Sequence, residues 1–397
     1  MDLYQFILHF IFWACLATIF YAFIGYGIIL TVMVWVKQKL TGTSIKTINR
    51  LFEPHVSLVI PCYNEAKILS GKALNSIELD YPPDKLCIYF ITDGSDDNFR
   101  EVIAQFPRAV ILHQKRRGGK TAAENRAMRI IKTPFVIFSD ANTILNKNAV
   151  RNMVRHFQDE KVGCVSGEKR IMMDEKDNAS SAGEGIYWKY ESFLKKMDSA
   201  LYSAVGAAGE LVAFRTSLYQ ELPEDTILDD FMQSMLIASE GYKIVYEPQA
   251  YAMERGSLSI KEELKRKIRI SAGGWQSIRR LKDKITLRKN FLLYFQYLSH
   301  RVLRWTVTPF MLMVVLGLNF LLWDASIVYL LLLMAQIFFY LAASLGYFLE
   351  NRRIRLKILF VPYYFCMMNY AVIAGLIKYN KGKQMSIWEK ARRKDYA

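Results

Sequence analysis

The chain has 397 residues, of which 52% are apolar, and it carries a formal net charge of +16 at pH 7. This length allows one large domain with further elements around it. Its five cysteines are scattered without metal-ligand pairing, which excludes a disulfide framework and a structural zinc site as organising features. They are Cys15, Cys62, Cys87, Cys164 and Cys366.

The first predicted element is a membrane anchor close to the N-terminus. Residues 6–36 contain no Asp, Glu, Lys or Arg, and a stretch of this length can cross a bilayer as a tilted helix. The basic start, short apolar core and cleavage site of a signal peptide are missing, so we expect the anchor to be retained.

The charges around this anchor predict the orientation of the domain on its C-terminal side. Asp2 is the only charged side chain before the anchor, whereas basic residues come closely after it, at Lys37, Lys39, Lys46 and Arg50. Because cytoplasmic flanks are enriched in Lys and Arg, we expect an integral protein of a bacterial inner or cell membrane whose main domain faces the cytoplasm.

Residues 51–290 contain no comparable apolar run, and their strands and helices are predicted to alternate. The segments VSLVIPCYNE, KLCIYFITDGS, RAVILHQ and PFVIFSDANTIL are typical of strands. Helical spacing comes after the first three, in AKILSGKALNSIELD, NFREVIAQF and KTAAENRAMRII. This alternation predicts an α/β domain with a mostly parallel sheet and ligands beyond the carboxyl ends of the strands. Three of those ends carry polar residues, at Asn64 and Glu65, at Asp93 and at Asp140.

Two common nucleotide-binding motifs are excluded by their spacing. The first strand-to-helix turn has YNE where a dinucleotide-binding domain has its glycine fingerprint, and RRGGKTAAE lacks the glycine-to-lysine spacing of a P-loop.

The C-terminal part combines a basic segment with three more apolar runs. Residues 261–289 include eleven Lys or Arg against three acids, a composition typical of contact with anionic lipid head groups rather than nucleic acid. The apolar runs cover residues 306–323, 327–349 and 358–377. The last contains Pro362, so it either crosses the membrane or lies re-entrant or along the interface.

These patterns divide the chain into four regions. They are an anchor and linker at residues 1–50, a catalytic domain at 51–260, a basic amphipathic segment at 261–305, and a C-terminal transmembrane region with a basic tail at 306–397.

Six motifs in this order resemble those of a family 2 glycosyltransferase with the GT-A fold, of the membrane-bound group that includes hyaluronan, chitin and cellulose synthases. They are VSLVIPCYNEAKIL, ITDGSDD, GGKTAAENRAM, FSDANTIL, GAAGELVAFR and ILDDF. The resemblance implies a Rossmann-like domain flanked by transmembrane helices, and a hexosyltransferase that uses a nucleotide sugar.

The same resemblance assigns the donor nucleotide to the first two strand ends. It places Asp93 against the base, and Pro61, Tyr63 and Glu65 against the base and ribose. Alternatively, Asp93 caps the next helix in the chain, although three closer polar residues could do so instead.

The SDAN segment stands where this family carries its Asp-x-Asp metal motif. The resemblance implies Mg²⁺ or Mn²⁺ held by Asp140 and Asn142 against the donor diphosphate, because both ions prefer oxygen ligands. Asn142 offers a neutral carbonyl oxygen in place of the second acid, which predicts weaker binding. The alternative is that both residues only form a turn.

Lys120 is the predicted partner of the donor diphosphate. Together with Arg117 it brackets two glycines ahead of a helix, and glycines and a helix N-terminus both favour phosphate binding. A solvated basic turn is the alternative.

The segment ILDDF supplies the predicted catalytic base. Inverting transfer needs a carboxylate to take the proton of the acceptor hydroxyl, and the resemblance assigns this role to Asp230, with Asp229 beside it. The alternative is a pair of acids that only begins a helix.

GAAGELVAFR resembles the acceptor-side segment, with Gly206, Gly209 and Glu210 as candidate acceptor contacts. Glu210 stands where relatives more often have a small residue. Upstream, the aromatic residues within 187–193 either pack in the core or stack on sugar.

A lid is predicted after the base, at Gly274, Trp275, Gln276 and Arg279. Processive synthases of this group carry Gln-x-x-Arg-Trp there, whereas this chain has no Trp after Arg279, so processivity stays open. Trp275 alternatively anchors at the bilayer surface.

Together the motifs predict inverting transfer from a nucleotide sugar, expected to be a UDP-sugar, to a glycan acceptor in polysaccharide synthesis. Single transfer to a polyprenyl or other lipid acceptor is the alternative. Membrane lipids are expected partners, nucleic acid is not, and the sequence assigns no oligomeric state. A transporter is disfavoured because the apolar runs are nearly free of ionisable residues, and an inactive scaffold because Asp93, Asp140 and Asp230 are all present.

Overall fold

The structure is a computed structural model that describes residues 3–42, 52–172, 180–255, 260–352 and 356–382. Lys46 and Arg50, which contributed to the predicted orientation, and the basic tail from residue 383 onward lie outside the described residues.

A single eight-stranded sheet forms the centre of the domain. Its strands are β1 Val56–Cys62, β2 Leu86–Asp93, β3 Ala109–Gln114, β4 Phe135–Ser139, β5 Ile144–Leu145, β6 Val162–Met172, β7 Leu211–Arg215 and β8 Lys243–Arg255. Their order across the sheet is β3-β2-β1-β4-β7-β6-β8-β5. The pairs β3-β2, β2-β1, β1-β4 and β6-β8 are parallel, and β7 runs antiparallel between β4 and β6.

Fourteen α-helices lie within the described residues. They are α1 Leu3–Phe20, α2 Tyr26–Thr41, α3 Ala66–Ile77, α4 Phe99–Ala104, α5 Lys120–Met128, α6 Ala149–Val154, α7 Ser180–Leu201, α8 Asp229–Ser239, α9 Ile260–Leu281, α10 Phe291–Tyr297, α11 Leu303–Trp305, α12 Thr308–Leu322, α13 Ile327–Asn351 and α14 Lys357–Asn380. A π-helical turn joins α1 to α2, and a second one joins α10 to α11.

The predicted alternation of strands and helices is confirmed, and its cause is burial on both sheet faces. Strands β1, β2 and β4 are rich in apolar residues, and most of their residues are buried, as expected for parallel strands covered by helices. The fourth predicted strand is shorter than expected. Phe135–Ser139 lies in the middle of the sheet beside β1, whereas Ile144–Leu145 forms a separate strand that pairs with β8 at the far edge, because the SDAN turn redirects the chain.

Helices that could cross a membrane flank this domain. Three are long and apolar enough within the described residues, at Leu3–Thr41, Ile327–Glu350 and Ile358–Asn380. A fourth is formed if Phe291–Trp305 and Thr308–Leu322, which meet at a 58° bend, count as one broken span.

The amphipathic helix α9 connects the domain to the apolar helices. One of its faces packs on the catalytic domain, where Gly273 lies against Ile227 and Leu228. On another face the α14 backbone comes so close that a Cβ at Gly375 would meet the Ser271 Cβ at 2.6 Å. The segment left open between crossing and interfacial positions is therefore a continuous helix packed against α9.

Helix α7 ties the N-terminal anchor to the domain. Tyr190 donates a hydrogen bond of 2.7 Å to the Phe23 carbonyl oxygen and packs with Leu30 and Leu194. From the other side, the Lys37 ammonium group donates to the carbonyl oxygen of Leu201 at 2.7 Å. Tyr190 thus belongs to the packing of the anchor rather than to an open sugar site.

Candidate active site

The polar residues at the ends of β1 and β2 form a connected turn structure. Asp97 accepts a hydrogen bond of 2.7 Å from the Ala66 backbone N–H at the start of α3. Asp96 accepts one of 2.8 Å from the Asn64 side chain, and Asn64 itself has a left-handed φ of 49°. These acids are thus held by the neighbouring strand end.

Asp93 holds the glycine turn that precedes α5. Its Oδ2 accepts backbone hydrogen bonds from Gly118 at 2.9 Å and from Gly119 at 2.7 Å. Arg126 lies 3.3 Å from Oδ1. Asp93 therefore holds the glycine turn before α5 and caps neither that helix nor the helix next to it in the chain. Its contact with a nucleotide base stays a prediction.

Tyr63 and Arg117 stack on each other beside this turn. The Arg117 guanidinium carbon lies 3.6 Å from the centroid of the Tyr63 ring, a distance typical of a cation–π contact. The two residues predicted separately for the nucleoside and the phosphate thus form one flat surface at the ends of β1 and β2.

Three carboxylates surround the ammonium group of Lys120 at the start of α5. Its Nζ lies 2.9 Å from Asp140 Oδ1, 3.5 Å from Asp229 Oδ2 and 3.8 Å from Glu124 Oε1. Glu124 and Asp229 are each 6% exposed. The structure thus brings the predicted residues of three separate motifs to one point.

Glu124 was not among the sequence-predicted residues. Burial raises the pKa of its carboxyl well above the usual range, and the charge of Asp229 adds to this effect. The available signal was its position one helical turn after Lys120 on a buried helix face.

Asp230 lies at the N-terminus of α8 and faces the acceptor-side segment. A Cβ at Gly209 would lie 2.9 Å from Asp230 Oδ2, so a larger residue at 209 would displace this carboxylate. Burial raises the pKa of Asp230 to about 7, and the neighbouring charge of Asp229 acts in the same direction.

We expect the reaction rate to depend on pH through Asp230. A base must be deprotonated to act. Because the pKa is raised to about 7, the carboxylate form predominates above this pH and is lost as the pH falls below it. Initial rates of sugar transfer, measured as kcat/KM from pH 5 to 9, should fall about tenfold per pH unit on the acid side. A rate that stays constant down to pH 5, as expected for an exposed carboxyl with a pKa near 4, would contradict this assignment.

The other two predicted acceptor residues have defined structural surroundings. Gly206 has a φ of 84°, and a Cβ there would overlap the Phe231 ring. Glu210 lies 2.6 Å from the Lys169 ammonium group, and Lys169 also pairs with Glu254. The pKa of Glu210 is lowered because Lys169 outweighs the effect of burial. Contact with an acceptor stays a prediction for all three residues.

One of the predicted lid residues, Gln276, holds the loop that precedes Asp229. Gln276 accepts a hydrogen bond of 3.0 Å from the Ile227 N–H and donates one of 2.9 Å to the Asp225 carbonyl oxygen. Arg280, rather than Arg279, pairs with the Asp225 carboxylate at 2.6 Å. Arg279 is exposed. Motion of this segment as a lid stays a prediction.

The tryptophan that is missing after Arg279 has a counterpart in space, because Trp305 packs against α9. A Cβ at Gly274 would lie 2.6 Å from the Trp305 ring, and Trp305 packs 5.2 Å from the Phe231 ring between centroids. Trp275 is half-buried on the same helix.

Arg269 on α9 is a cation of the site that the sequence prediction missed. Burial lowers the pKa of its guanidinium to about 10, and Arg266 adds to this effect. The charges of Asp229, Asp140 and Asp230 act in the opposite direction, so the acidic cluster interacts electrostatically with Arg269. Its spacing of one helical turn from Gly273, on the face that packs on the domain, is the signal that could have identified it.

The proposed metal ligands fit a cation that is completed by substrate. No group of three Asp, Glu, His or Cys able to hold a metal ion occurs in the described part of the chain. Asp140, with a 26% exposed side chain, and the Asn142 carbonyl supply two oxygen donors. Mg²⁺ is commonly bound by one or two carboxylates together with water and substrate phosphates. The donor set is therefore adequate only with a diphosphate present.

The comparison with family models decides which family this chain represents. The model described as "Glycosyltransferase like family 2" matches residues 54–273, more than half of the chain. The chain belongs to this family. The resemblance stated from its motifs is thereby confirmed.

Curated relatives of this family 2 glycosyltransferase include polysaccharide synthases. The poly-beta-1,6-N-acetyl-D-glucosamine synthase of Staphylococcus aureus (strain COL) is 27% identical over 249 residues, which cover 60% of this chain and 59% of the relative. The synthase of the same name from Staphylococcus epidermidis is 27% identical over 237 residues, covering 57% and 56%. The match thus spans less than two thirds of these relatives' length.

A solved structure extends the likeness across nearly the whole chain. The mannosyltransferase PcManGT from Pyrobaculum calidifontis, in complex with GDP-Man and Mn²⁺, matches with a TM-score of 0.72 at 22% identity. The match covers 95% of this chain and 99% of that chain. It confirms the GT-A fold. The long apolar helices that flank the domain indicate a membrane protein.

Proposed function

We propose that this protein transfers a sugar, with inversion, from a nucleotide-sugar donor to a glycan acceptor in polysaccharide synthesis. The observation that carries the proposal is the cluster of Asp140, Asp229 and Glu124 around Lys120, with Asp230 beside it. The cluster lies at the carboxyl ends of parallel strands, where α/β domains bind ligands.

Asp230 is the proposed base. Its carboxylate lies beside Gly209 of the acceptor-side segment, where it can accept the proton of an acceptor hydroxyl as that oxygen forms a bond to the anomeric carbon. The bond from that carbon to the diphosphate breaks on the opposite face. A base held in this way contributes about 10²–10⁴-fold to the rate.

Lys120 and Arg269 are the cations proposed to stabilise the departing diphosphate. Lys120 on α5 contacts the acidic cluster, and the charges of the same cluster act on Arg269 of α9. Cations held in place before the reaction stabilise developing negative charge without reorganisation. Asp140 and Asn142 would hold Mg²⁺ or Mn²⁺, which neutralises diphosphate charge when bound.

The donor nucleotide is proposed to bind along β1 and β2. Tyr63 and Arg117 supply a flat surface for a base, and Pro61, Glu65 and Asp93 lie on the same strand ends. A UDP-sugar is the proposed donor. The complex of PcManGT with GDP-Man makes GDP-sugars the necessary comparison.

A lipid-linked acceptor is the second candidate, and the small number of spans favours it. The described residues contain three candidate spans, or four with the bent pair, which leaves little protein to enclose a polymer channel. A single transfer to a polyprenyl or other lipid needs no such channel.

A transfer assay distinguishes these possibilities. Purified protein in lipid bilayers is incubated with radiolabelled UDP- and GDP-sugars and Mn²⁺ or Mg²⁺, and label is followed into polymer and into lipid extracts. We expect label from a UDP-sugar in polymer, and its loss with EDTA. Label confined to lipid would establish the second candidate, whereas turnover unaffected by EDTA would contradict the metal site.

We also infer that the catalytic domain faces the cytoplasm. Lys37 and Lys39 lie directly after the anchor on the domain side, in agreement with the positive-inside rule. The test is a cysteine introduced at the exposed Leu40 in a variant without native cysteines. It should react with a membrane-impermeant thiol reagent only in inverted vesicles, and reaction in intact cells would contradict this topology.

A further inference from the structure

Lys72 is a buried lysine that no step of the proposed reaction uses. It lies on α3 and is 3% exposed. Its ammonium group donates to Ser139 Oγ at 2.8 Å, to the Thr143 carbonyl oxygen at 2.9 Å and to Thr143 Oγ1 at 3.2 Å. Among the described residues, no acid lies within ion-pair distance of it.

This arrangement is costly, because an ammonium group loses its hydration when it is buried. Burial lowers the pKa of Lys72 to about 7, while the charges of Asp140 and Glu65 oppose the shift. A methionine side chain would fill similar space without this cost. What the lysine contributes therefore lies in the groups that its hydrogen bonds hold in place.

The three acceptors of Lys72 lie on either side of the proposed metal ligands. Ser139 directly precedes Asp140, and Thr143 comes directly after Asn142. Thr143 Oγ1 also donates to the Asp140 carbonyl oxygen at 2.8 Å and lies 3.0 Å from Ser139 Oγ. Lys72 therefore closes both ends of the four-residue SDAN turn against α3.

The turn has a second connection, which leads to the acceptor-side segment. Ser139 Oγ donates to the Glu210 carbonyl oxygen at 3.2 Å. Helix α3 begins next to the strand end proposed for the nucleoside, so Lys72 joins the nucleoside side of the cleft to the metal turn through one rigid helix.

We propose that Lys72 is a positioning residue for the metal site: its three donors fix Ser139 and Thr143, and thereby aim Asp140 and Asn142 at a divalent cation. This inference rests on the proposed function, which assigns the cation to those two ligands. With only two protein donors, the affinity of the site depends strongly on how precisely they are held.

Loss of the partners that orient metal ligands weakens metal binding by about 10–100-fold in proteins generally. We expect the same range for Lys72→Met. Lys67→Met, which changes an exposed lysine on the same helix, is the matched control and should bind Mn²⁺ as the unmodified protein does.

The experiment is a titration of the full chain in lipid with Mn²⁺, followed by the electron paramagnetic resonance of free Mn²⁺, with UDP and GDP each added in turn. The midpoint of thermal unfolding is measured for every variant. Weaker Mn²⁺ binding by Lys72→Met in a folded protein supports the proposal. Equal Mn²⁺ affinity in the two lysine variants would overturn it.

Thr143→Val provides a second variant that removes the hydroxyl partner and leaves the lysine in place. It should weaken Mn²⁺ binding as well, and the double variant should be no weaker than the worse single variant, because both changes break one network. Additive effects would contradict the proposal. If Lys72→Met does not fold, unchanged Mn²⁺ binding by Thr143→Val would contradict it by itself.

Mn²⁺ binding by the unmodified protein tests the proposed metal site separately from the role of Lys72. If it binds no Mn²⁺ with or without nucleotide, the proposed metal site itself is wrong and the role of Lys72 is rejected with it. If it binds Mn²⁺ and Lys72→Met binds equally well, only the role of Lys72 is rejected.

Discussion

Asp230→Asn is expected to remove about 10²–10⁴-fold from kcat, the usual contribution of a general base, while leaving nucleotide binding nearly unchanged. The amide keeps the shape of the carboxyl group but cannot accept the acceptor's proton. The proposed donor site lies at the ends of β1, β2 and β4, whereas Asp230 lies on α8 beside Gly209. Single-turnover transfer and nucleotide binding are measured on the same preparation.

The matched control is Glu240→Gln, an exposed acid at the opposite end of the same helix. It should turn over like the unmodified enzyme. Normal turnover by Asp230→Asn would show that another group takes the proton. A loss of nucleotide binding equal to the loss of rate would show instead that Asp230 belongs to the donor site.

Lys120→Met should have the second-largest effect, with a loss of about 10²–10³-fold in kcat, as found when one electrostatic contact to a transition state is removed. Its ammonium group is the shared partner of Asp140, Asp229 and Glu124. Without this ammonium group, the three acidic side chains would lie close together in a largely buried site with no cation between them. Breaking buried ion pairs from one side is strongly destabilising, so the midpoint of thermal unfolding should fall as well.

Lys115→Met serves as the control, because this exposed lysine lies on the loop before the same helix. It should change neither rate nor stability. If Lys120→Met lost stability while a folded fraction retained its full kcat, Lys120 would be a structural counter-ion only. A higher KM at unchanged kcat would place it in ground-state binding of the donor.

The fold could be predicted from the sequence because its signals are local. The apolar runs of β1, β2 and β4 and the helices between them are short-range patterns, and burial on both faces explains their composition. The position of β5 could not be predicted in this way. Its two residues pair with β8, more than a hundred positions later, and no local pattern encodes that partner.

The candidate site likewise contains residues that sequence motifs identified and residues that only the tertiary structure identified. The sequence motifs include Asp140, Lys120 and Asp229. The structure places the carboxylates of Asp140 and Asp229 within 4 Å of the Lys120 ammonium group. Glu124 and Arg269 were missed, since each resembles an ordinary charge on an amphipathic helix. Only burial and facing charges distinguish them.

By itself, the amino-acid sequence determined the α/β class, the family and which motifs carry acids, because residue type and spacing express local conformation and family membership. Tertiary structure alone decided which charges face one another. It assigned Asp93 to the glycine turn before α5, Gln276 to the loop before Asp229, and Lys72 to the SDAN turn. The physical reason is that an ionisable side chain acts through neighbours that are distant in the chain, and only packing of the helices onto the sheet sets those distances.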